Sequence, residues 1–278
     1  MSNILWLASY PKSGNTWVRA FLANLVANQA APLSLAQLSS YCDDEARPDL
    51  YSEIAGRPST ELDITELCAL RSEVHARIAT SRAGTVFVKT HNMAGSVDDY
   101  PLHNMALTAG AIYVVRNPLD VAVSMTHHFG LTLDEAIQRL ASDDVATLND
   151  AMFVSQHLGS WSRHVQSWSN SDNAKILTIR YEDMLEKPLK WFGKIARLVG
   201  MDNDRSRVER AIQHASFKTL SSIERRDGFV EVSSKTERFF RAGSANQWRE
   251  KFSREQVIRV IGDHREQMKR FGYLPAGF

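Results

Sequence analysis

The chain has 278 residues, 44% of them apolar and 23% charged, and 33 basic against 32 acidic residues leave a net charge of +1. That length fits one large α/β domain or two small ones, and a single domain over residues 1–278 is the expectation. So small a charge excludes nucleic acid as the main partner, because counterion release needs a surplus of Lys and Arg on one face, so any phosphate site must be local.

Cys42 and Cys68 are the only cysteines and form no C-x-x-C pair, which points to a reduced compartment. The N-terminus carries no basic region ahead of its apolar stretch. No apolar run approaches the ~18 residues of a membrane span, so a cytoplasmic protein without a membrane partner is expected. The 14 glycines and 8 prolines are fewer than average usage, and no repeat or low-complexity tract marks a linker.

In chain order, residues 4–8 form a short continuous apolar run, the pattern of a strand covered on both faces. After a tight turn, Trp17, Val18, Phe21, Leu22, Leu25 and Val26 recur at helical spacing and predict a helix over 17–26. Residues 85–88 and 111–115 read as a second and third strand. Asn117 and Pro118, an N-cap residue followed by proline at the first helical position, then open a helix through 119–124. Residues 175–179 predict a fourth strand, Pro188 opens a helix through Phe192, Ile195, Ala196 and Val199, and a terminal helix runs from about 254 to 270. Strands separated by helices imply crossover connections. The fold class is therefore α/β, a mainly parallel sheet flanked by helices, with ligands beyond the carboxyl ends of the strands. Charge is segregated: residues 43–73 hold nine acids and three bases, whereas 218–251 hold eight bases and five acids. Two solvated surfaces would account for this.

Tyr10-Pro11-Lys12-Ser13-Gly14-Asn15-Thr16-Trp17 joins the first strand to the first helix. A turn there presents backbone N–H groups at a helix N-terminus, and Lys12, Ser13 and Thr16 add a cation and two hydroxyls, the makings of an anion site. The alternative is a plain strand-to-helix turn. An ATP-type P-loop places its lysine after the last glycine, whereas Lys12 precedes the loop's only glycine.

The loop resembles the 5′-phosphosulfate loop of the sulfotransferase family, which moves a sulfuryl group from 3′-phosphoadenosine 5′-phosphosulfate (PAPS) to an acceptor; Asn15 stands where threonine is common. The resemblance implies a P-loop-like strand–loop–helix in which Lys12 contacts the bridging oxygen of the leaving group, Ser13, Gly14, Asn15 and Thr16 cradle the 5′-phosphate, and Trp17 stacks on adenine. Residues 112–124 are similar to the family's 3′-phosphate segment, which implies that Arg116 and Ser124 bind that phosphate. Arg116 read alone could equally pair with Asp120. Residues 180–184 resemble a segment whose tyrosine, here Tyr181, lines the adenine pocket, although Tyr181 could also be core. Residues 239–248 resemble the segment closing over the 3′-phosphate, which carries over Arg241 and Gly243, while Ala242 replaces the usual lysine and Asn246-Gln247 the usual Gly-Asp. Ser216-Phe217 resembles a further adenine-side pair and adds Phe217.

Lys89-Thr90-His91 follows the second strand. A histidine titrating near pH ~6.5 can accept a proton from an alcohol. The chain has nine histidines, and a structural or solvent-facing role is the default for any one of them. Lys-Thr-His after a strand is similar to the family's acceptor-side motif, which implies that His91 is the general base and Lys89 helps neutralise charge. Asn92-Met93 replaces the usual Leu-Pro, implying a different pocket floor. His127 and His128 invite a metal reading, but no partner spacing supports one, and sulfuryl transfer calls for none.

The resulting expectation is a PAPS-dependent sulfotransferase acting on a small hydroxylated acceptor, with adenosine 3′,5′-bisphosphate (PAP) as product. Its acceptor pocket would be formed by residues 43–73, the stretch after Phe129 and the loop near 227–234. The rivals are a P-loop-type phosphotransferase and a non-catalytic nucleotide-binding or scaffold protein.

Overall fold

The computed structural model describes residues 3–170 and 175–278, so Met1 and Ser2 of the N-terminal stretch lie outside it. Its strands are β1 (Ile4–Ser9), β2 (Cys42–Asp44), β3 (Val86–Thr90), the short β4 (Ser96–Val97) and β5 (Tyr100–Pro101), β6 (Thr108–Val115) and β7 (Ile176–Arg180). Five of them form one parallel sheet in the order β2-β3-β1-β6-β7; β4 and β5 pair as a separate antiparallel hairpin. Central β1 is buried along its whole length, as its continuous apolar run requires. Ile4, Trp6 and Ala8 face one apolar cluster with Val88 and Tyr113, while Leu5 and Leu7 face the other with Phe21 and Ile112. One core therefore lies on each face of the sheet.

The register sets the position of the site. Ala8 lies opposite Thr90, Ser9 opposite Val114, and Val115 opposite Arg180. The chain leaves β1, β3, β6 and β7 along one edge, so the loop after Ser9, His91, Arg116 and Tyr181 are brought together there. Helix Asn15–Ala27 starts from that edge, and helix Pro118–Phe129 starts with Asn117 accepting a hydrogen bond from Leu119 N–H, as Asn-Pro predicts.

The predicted strands lie where expected, but β3 runs on through Lys89 and Thr90, polar residues that are nevertheless buried. The edge strand β2 and helix Ile64–Thr80 lie in the acidic segment, and neither is a mere solvated surface. Asp63 and Glu66 form a capping box at the helix start, a signal readable in the Asp-x-x-Glu spacing. Cys42 and Cys68 are buried free thiols. Among the described residues no helix is long and apolar enough to cross a membrane.

Candidate active site

The loop after β1 is held in an unusual conformation. Lys12 has φ +67° and Gly14 φ +109°. A left-handed lysine costs roughly 1–3 kcal/mol and persists only where its surroundings enforce it; here the Lys12 carbonyl accepts Arg116 Nη1 at 3.0 Å. A Cβ at Gly14 would meet the Tyr181 ring at 2.8 Å, so only glycine lets loop and ring pack together. Helix Asn15–Ala27 then begins with no side-chain cap and no acid in its first turn, leaving its N-terminal N–H groups to an anion.

Of the loop residues, Lys12, Gly14, Asn15, Thr16 and Trp17 line a cleft of about 900 Å³. Ser13 lies beneath them, buried, its Oγ lacking a partner. Asn15 turns its amide inward, donating to Leu7 O at 2.7 Å, so it ties the loop to β1 and leaves its backbone N–H for a ligand.

Arg116 does not pair with Asp120. The Asp120 carboxylate instead accepts the backbone N–H groups of Asn246, at 2.6 Å, and Trp248, at 3.1 Å, and so pins the late segment onto helix Pro118–Phe129. Arg116 spans to the Ser244 carbonyl at 3.2 Å, sits 4.4 Å over the Tyr181 ring, and keeps a buried Nε with no partner. Ser124, Phe217, Arg241 and Gly243 line the same cleft. Gly243 has φ +59°, and a Cβ there would come within 2.2 Å of Phe217, which accounts for glycine at this contact. Arg241 is exposed, hydrogen-bonds Gln247, and has its pKa lowered by burial and by the charge of Arg116. The rings of Trp17 and Tyr181 meet edge to face at 5.7 Å, so no ring fits between them. Trp17 Nε1 is buried without a partner.

Across the cleft, His91 Nδ1 is 2.7 Å from the Ser9 carbonyl. Only an N–H can make that contact, so the proton is on Nδ1 and the lone pair is on Nε2. Burial, with help from the Lys89 charge, lowers His91 to a pKa of about 4 despite that hydrogen bond, so the ring is neutral across the physiological range. Its backbone N–H donates to Gln156 Oε1 at 2.7 Å, and its carbonyl accepts from His164 Nε2 at 3.1 Å. Lys89 is buried and 2.8 Å from Asp44; burial opposes its charge, but Asp44 and Glu231 together hold its pKa above the usual value. Lys12 Nζ lies 4.0 Å over the Phe239 ring. Burial lowers its pKa to about 7, with Glu231 resisting and Arg116 and Lys89 reinforcing the shift.

Glu231, in the loop near 227–234 but not singled out from the sequence, bonds Arg19 at 2.6 Å and lies 3.9 Å from Lys89 Nζ. Burial works against its charge, but Arg19 and Lys89 hold it down to about 2. A charged Arg19 among the apolar residues of its helix was the one available sequence signal. His128 lines the cleft, whereas His127 does not border it beyond a small side pocket.

Residues 43–73 contribute nothing to the cleft wall, which on this side comes from the stretch after Phe129 and the loop near 227–234. Two of their acids, Asp44 and Glu45, contact β3 instead. Glu45, fully buried, accepts from Thr90 Oγ1, from Asn92 Nδ2 at 2.8 Å and from His75 Nε2 at 3.0 Å, with Arg71 at 3.7 Å. Asn92 and Met93 are likewise buried and are not the pocket floor. They serve the turn that carries His91.

The family model described as "Sulfotransferase domain" matches residues 3–272. Sulfotransferase 1A1 of the dog, Canis lupus familiaris, is 25% identical over 96% of this chain and 84% of its own. Cytosolic sulfotransferase 13 of Arabidopsis thaliana is 23% identical over 88% of this chain and 70% of its own. The crystal structure of mouse sulfotransferase SULT7A1 complexed with PAP superposes with a TM-score of 0.62 at 23% identity, covering 97% of this chain and 84% of that one, a likeness of fold.

Proposed function

The chain belongs to the sulfotransferase family, and on that premise we propose that it transfers a sulfuryl group from PAPS to the hydroxyl of a small-molecule acceptor. The observation that carries this is a single cleft with an anion-binding helix start on one wall and a histidine with a free Nε2 on the other. Residues 1–278 are read as one domain around one sheet, and a cytoplasmic location is proposed by analogy with the cytosolic relative.

The residues present fit PAPS. The uncapped helix start, with Gly14 and Thr16 on the cleft wall, suits the 5′-phosphate, to which Ser13 and Asn15 are assigned by the resemblance of the loop. Arg116, with an unpartnered buried Nε, and Ser124 are the residues for the 3′-phosphate, with Arg241 and Gly243 closing over it. Trp17, Tyr181 and Phe217 are assigned to the adenine. The adenine does not lie between Trp17 and Tyr181, because those two rings already touch.

His91 Nε2 takes the acceptor's proton as its oxygen attacks sulfur in line with the departing bridge oxygen. Charge accumulates on that oxygen, which Lys12 meets, while Lys89, held by Asp44 and Glu231, adds positive potential beside His91. Positioning and electrostatics supply most of the catalysis, by analogy with phosphoryl transfer. Family membership and the order of Lys12 before Gly14 weigh against an ATP phosphotransferase. A scaffold protein would have no use for an oriented His91. The test is incubation with PAPS and a panel of hydroxylated compounds, read by mass spectrometry for the gain of one SO3 group and by release of PAP. Tight PAP binding without any sulfated product would leave the scaffold reading standing.

A further inference from the structure

The acceptor wall of the cleft carries a broad apolar area among its polar groups. Phe129, Leu131, Met152 and Phe153 line it, and Leu148 and Val230 stand 80% and 74% exposed at its margin. Of the other cations on the cleft, Lys89 is engaged by Asp44 and Glu231, Lys12 lies over the Phe239 ring, and Lys235 is exposed at the rim against Gly130. Arg139, from helix Leu133–Ala141, lines the same wall and has no carboxylate partner among the described residues. Its Nη2 donates to the Ala146 carbonyl at 3.0 Å, its guanidinium lies 5.7 Å over the Phe129 ring, and its Nε is buried with no acceptor at all. Asp150, the nearest acid in the sequence that also lines the wall, uses its Oδ1 on the backbone N–H groups of Met152 and Phe153, at 2.8 and 2.9 Å.

A guanidinium kept from water along one edge, with a donor unused and no counter-ion, is costly to fold around unless something pairs with it. Bracing the turn at Ala146 accounts for Nη2 and leaves the buried Nε unexplained. We propose that Arg139 reads the acceptor: it receives a carboxylate at one end of an otherwise apolar molecule whose hydroxyl is presented to His91. The planar fork matches a carboxylate in bidentate geometry. A single guanidinium held beside the Phe129 ring balances one negative charge, in contrast to the several cations gathered at the donor end. The acceptor class is therefore a hydroxylated apolar acid. This deepens the sulfuryl-transfer reading and rests on it.

The experiment compares matched pairs of acceptors with PAPS, hydroxyphenylpropanoate against its methyl ester and hydroxydodecanoate against its methyl ester, in the wild type, Arg139→Gln and Arg139→Lys. Gln retains a donor for the Ala146 carbonyl, and a melting curve of each variant checks the fold. For at least one pair, the wild type is expected to favour the acid by about tenfold or more in kcat/KM, the scale of one charge-assisted hydrogen bond. The acid-to-ester ratio should fall toward unity in Arg139→Gln and stay intermediate in Arg139→Lys. Equal use of acid and ester, an ester preference, or an acid preference that survives Arg139→Gln overturns the proposal, while sulfated esters leave the sulfotransferase reading intact. If no compound is sulfated, that reading fails its own test. Calorimetric titration of each pair into the PAP complex then still decides Arg139: acid-selective binding lost in Arg139→Gln upholds it, and equal binding or none rejects it.

Discussion

The two walls of the cleft are built in different ways. The donor wall comes from contiguous runs at strand ends: the loop after β1, the Arg116 to Ser124 stretch after β6, and Tyr181 after β7. On the acceptor wall, charges are fixed by pairs remote in sequence: Arg19 and Glu231 are 212 residues apart, and Lys89 and Asp44 are 45 apart. Cradling a phosphate needs a particular backbone path, with a left-handed Lys12 and a glycine under Tyr181, and such a path must be written locally. Fixing a charge at a point needs only a carboxylate of opposite sign, which any element passing nearby can supply.

The largest expected effect tests whether the two walls divide the work. His91→Ala should fold, bind PAP as the wild type does, and lose about 10²–10⁴ in turnover, the usual scale for a general base. The loss should shrink as acceptor pKa falls, since an acidic phenol arrives partly ionised. A penalty equal across acceptors of graded pKa, or full activity without His91, would move the base to His128, the other histidine on the cleft. Lys12→Ala should lose both rate and PAP affinity, because Lys12 stands on the donor wall next to the departing oxygen.

Behind the acceptor wall, Glu45→Ala would strand Arg71 and leave Thr90 and Asn92 without their shared acceptor in a fully buried site. Removing one partner of such a set typically costs about 3–5 kcal/mol of stability, measurable by urea unfolding. Glu45→Gln should recover much of it. If Glu45→Ala unfolds at the wild-type midpoint, the network does not hold the turn carrying His91.

Much of the donor wall was legible because its chemistry is contiguous. Tyr10 to Trp17 could be read as an anion loop from one lysine, two hydroxyls and a glycine, and the strand ends followed from apolar runs. Pairing was not legible. Asp120 looked like a partner for Arg116 because it lies four residues on along a helix start, but the chain returns at 246–248 and offers two N–H groups instead. The acidic segment looked like pocket because the sequence does not say which side of β3 it packs on. Lys89 looked too polar to be strand, and it is strand because Asp44 on the neighbouring β2 neutralises it.

On the donor wall, Arg116→Ala should cost about 1.5–3 kcal/mol of PAP affinity, as for a lost charge-assisted hydrogen bond to phosphate. It should also erase most of the preference for PAP over 5′-AMP, measured by calorimetry. Equal binding of the two nucleotides by the wild type would remove Arg116 from the 3′-phosphate.

The smallest expected effect is a shift in pH dependence, and it tests whether the walls communicate through Glu231. Burial lowers Lys12 to about 7, and the Glu231 carboxylate is the first influence resisting that. Only charged Lys12 attracts a phosphate, and a lysine is charged below its pKa, so PAP affinity in the wild type should weaken as pH rises through about 7. Glu231→Gln keeps a hydrogen-bond acceptor for Arg19 but removes the negative charge, which lowers Lys12 further and moves that alkaline limb to lower pH. Losing a carboxylate near an anion site also removes repulsion, so at pH values below both limbs the variant should bind PAP as well as or better than the wild type. The two affinity curves should therefore cross, with the variant the weaker binder by a few-fold only on the alkaline side. Proton uptake on PAP binding, read from calorimetry in buffers of different ionisation enthalpy, should peak at lower pH in Glu231→Gln. Parallel curves with one common midpoint would show that Glu231 acts on Arg19 and Lys89 alone, and that the two walls titrate independently.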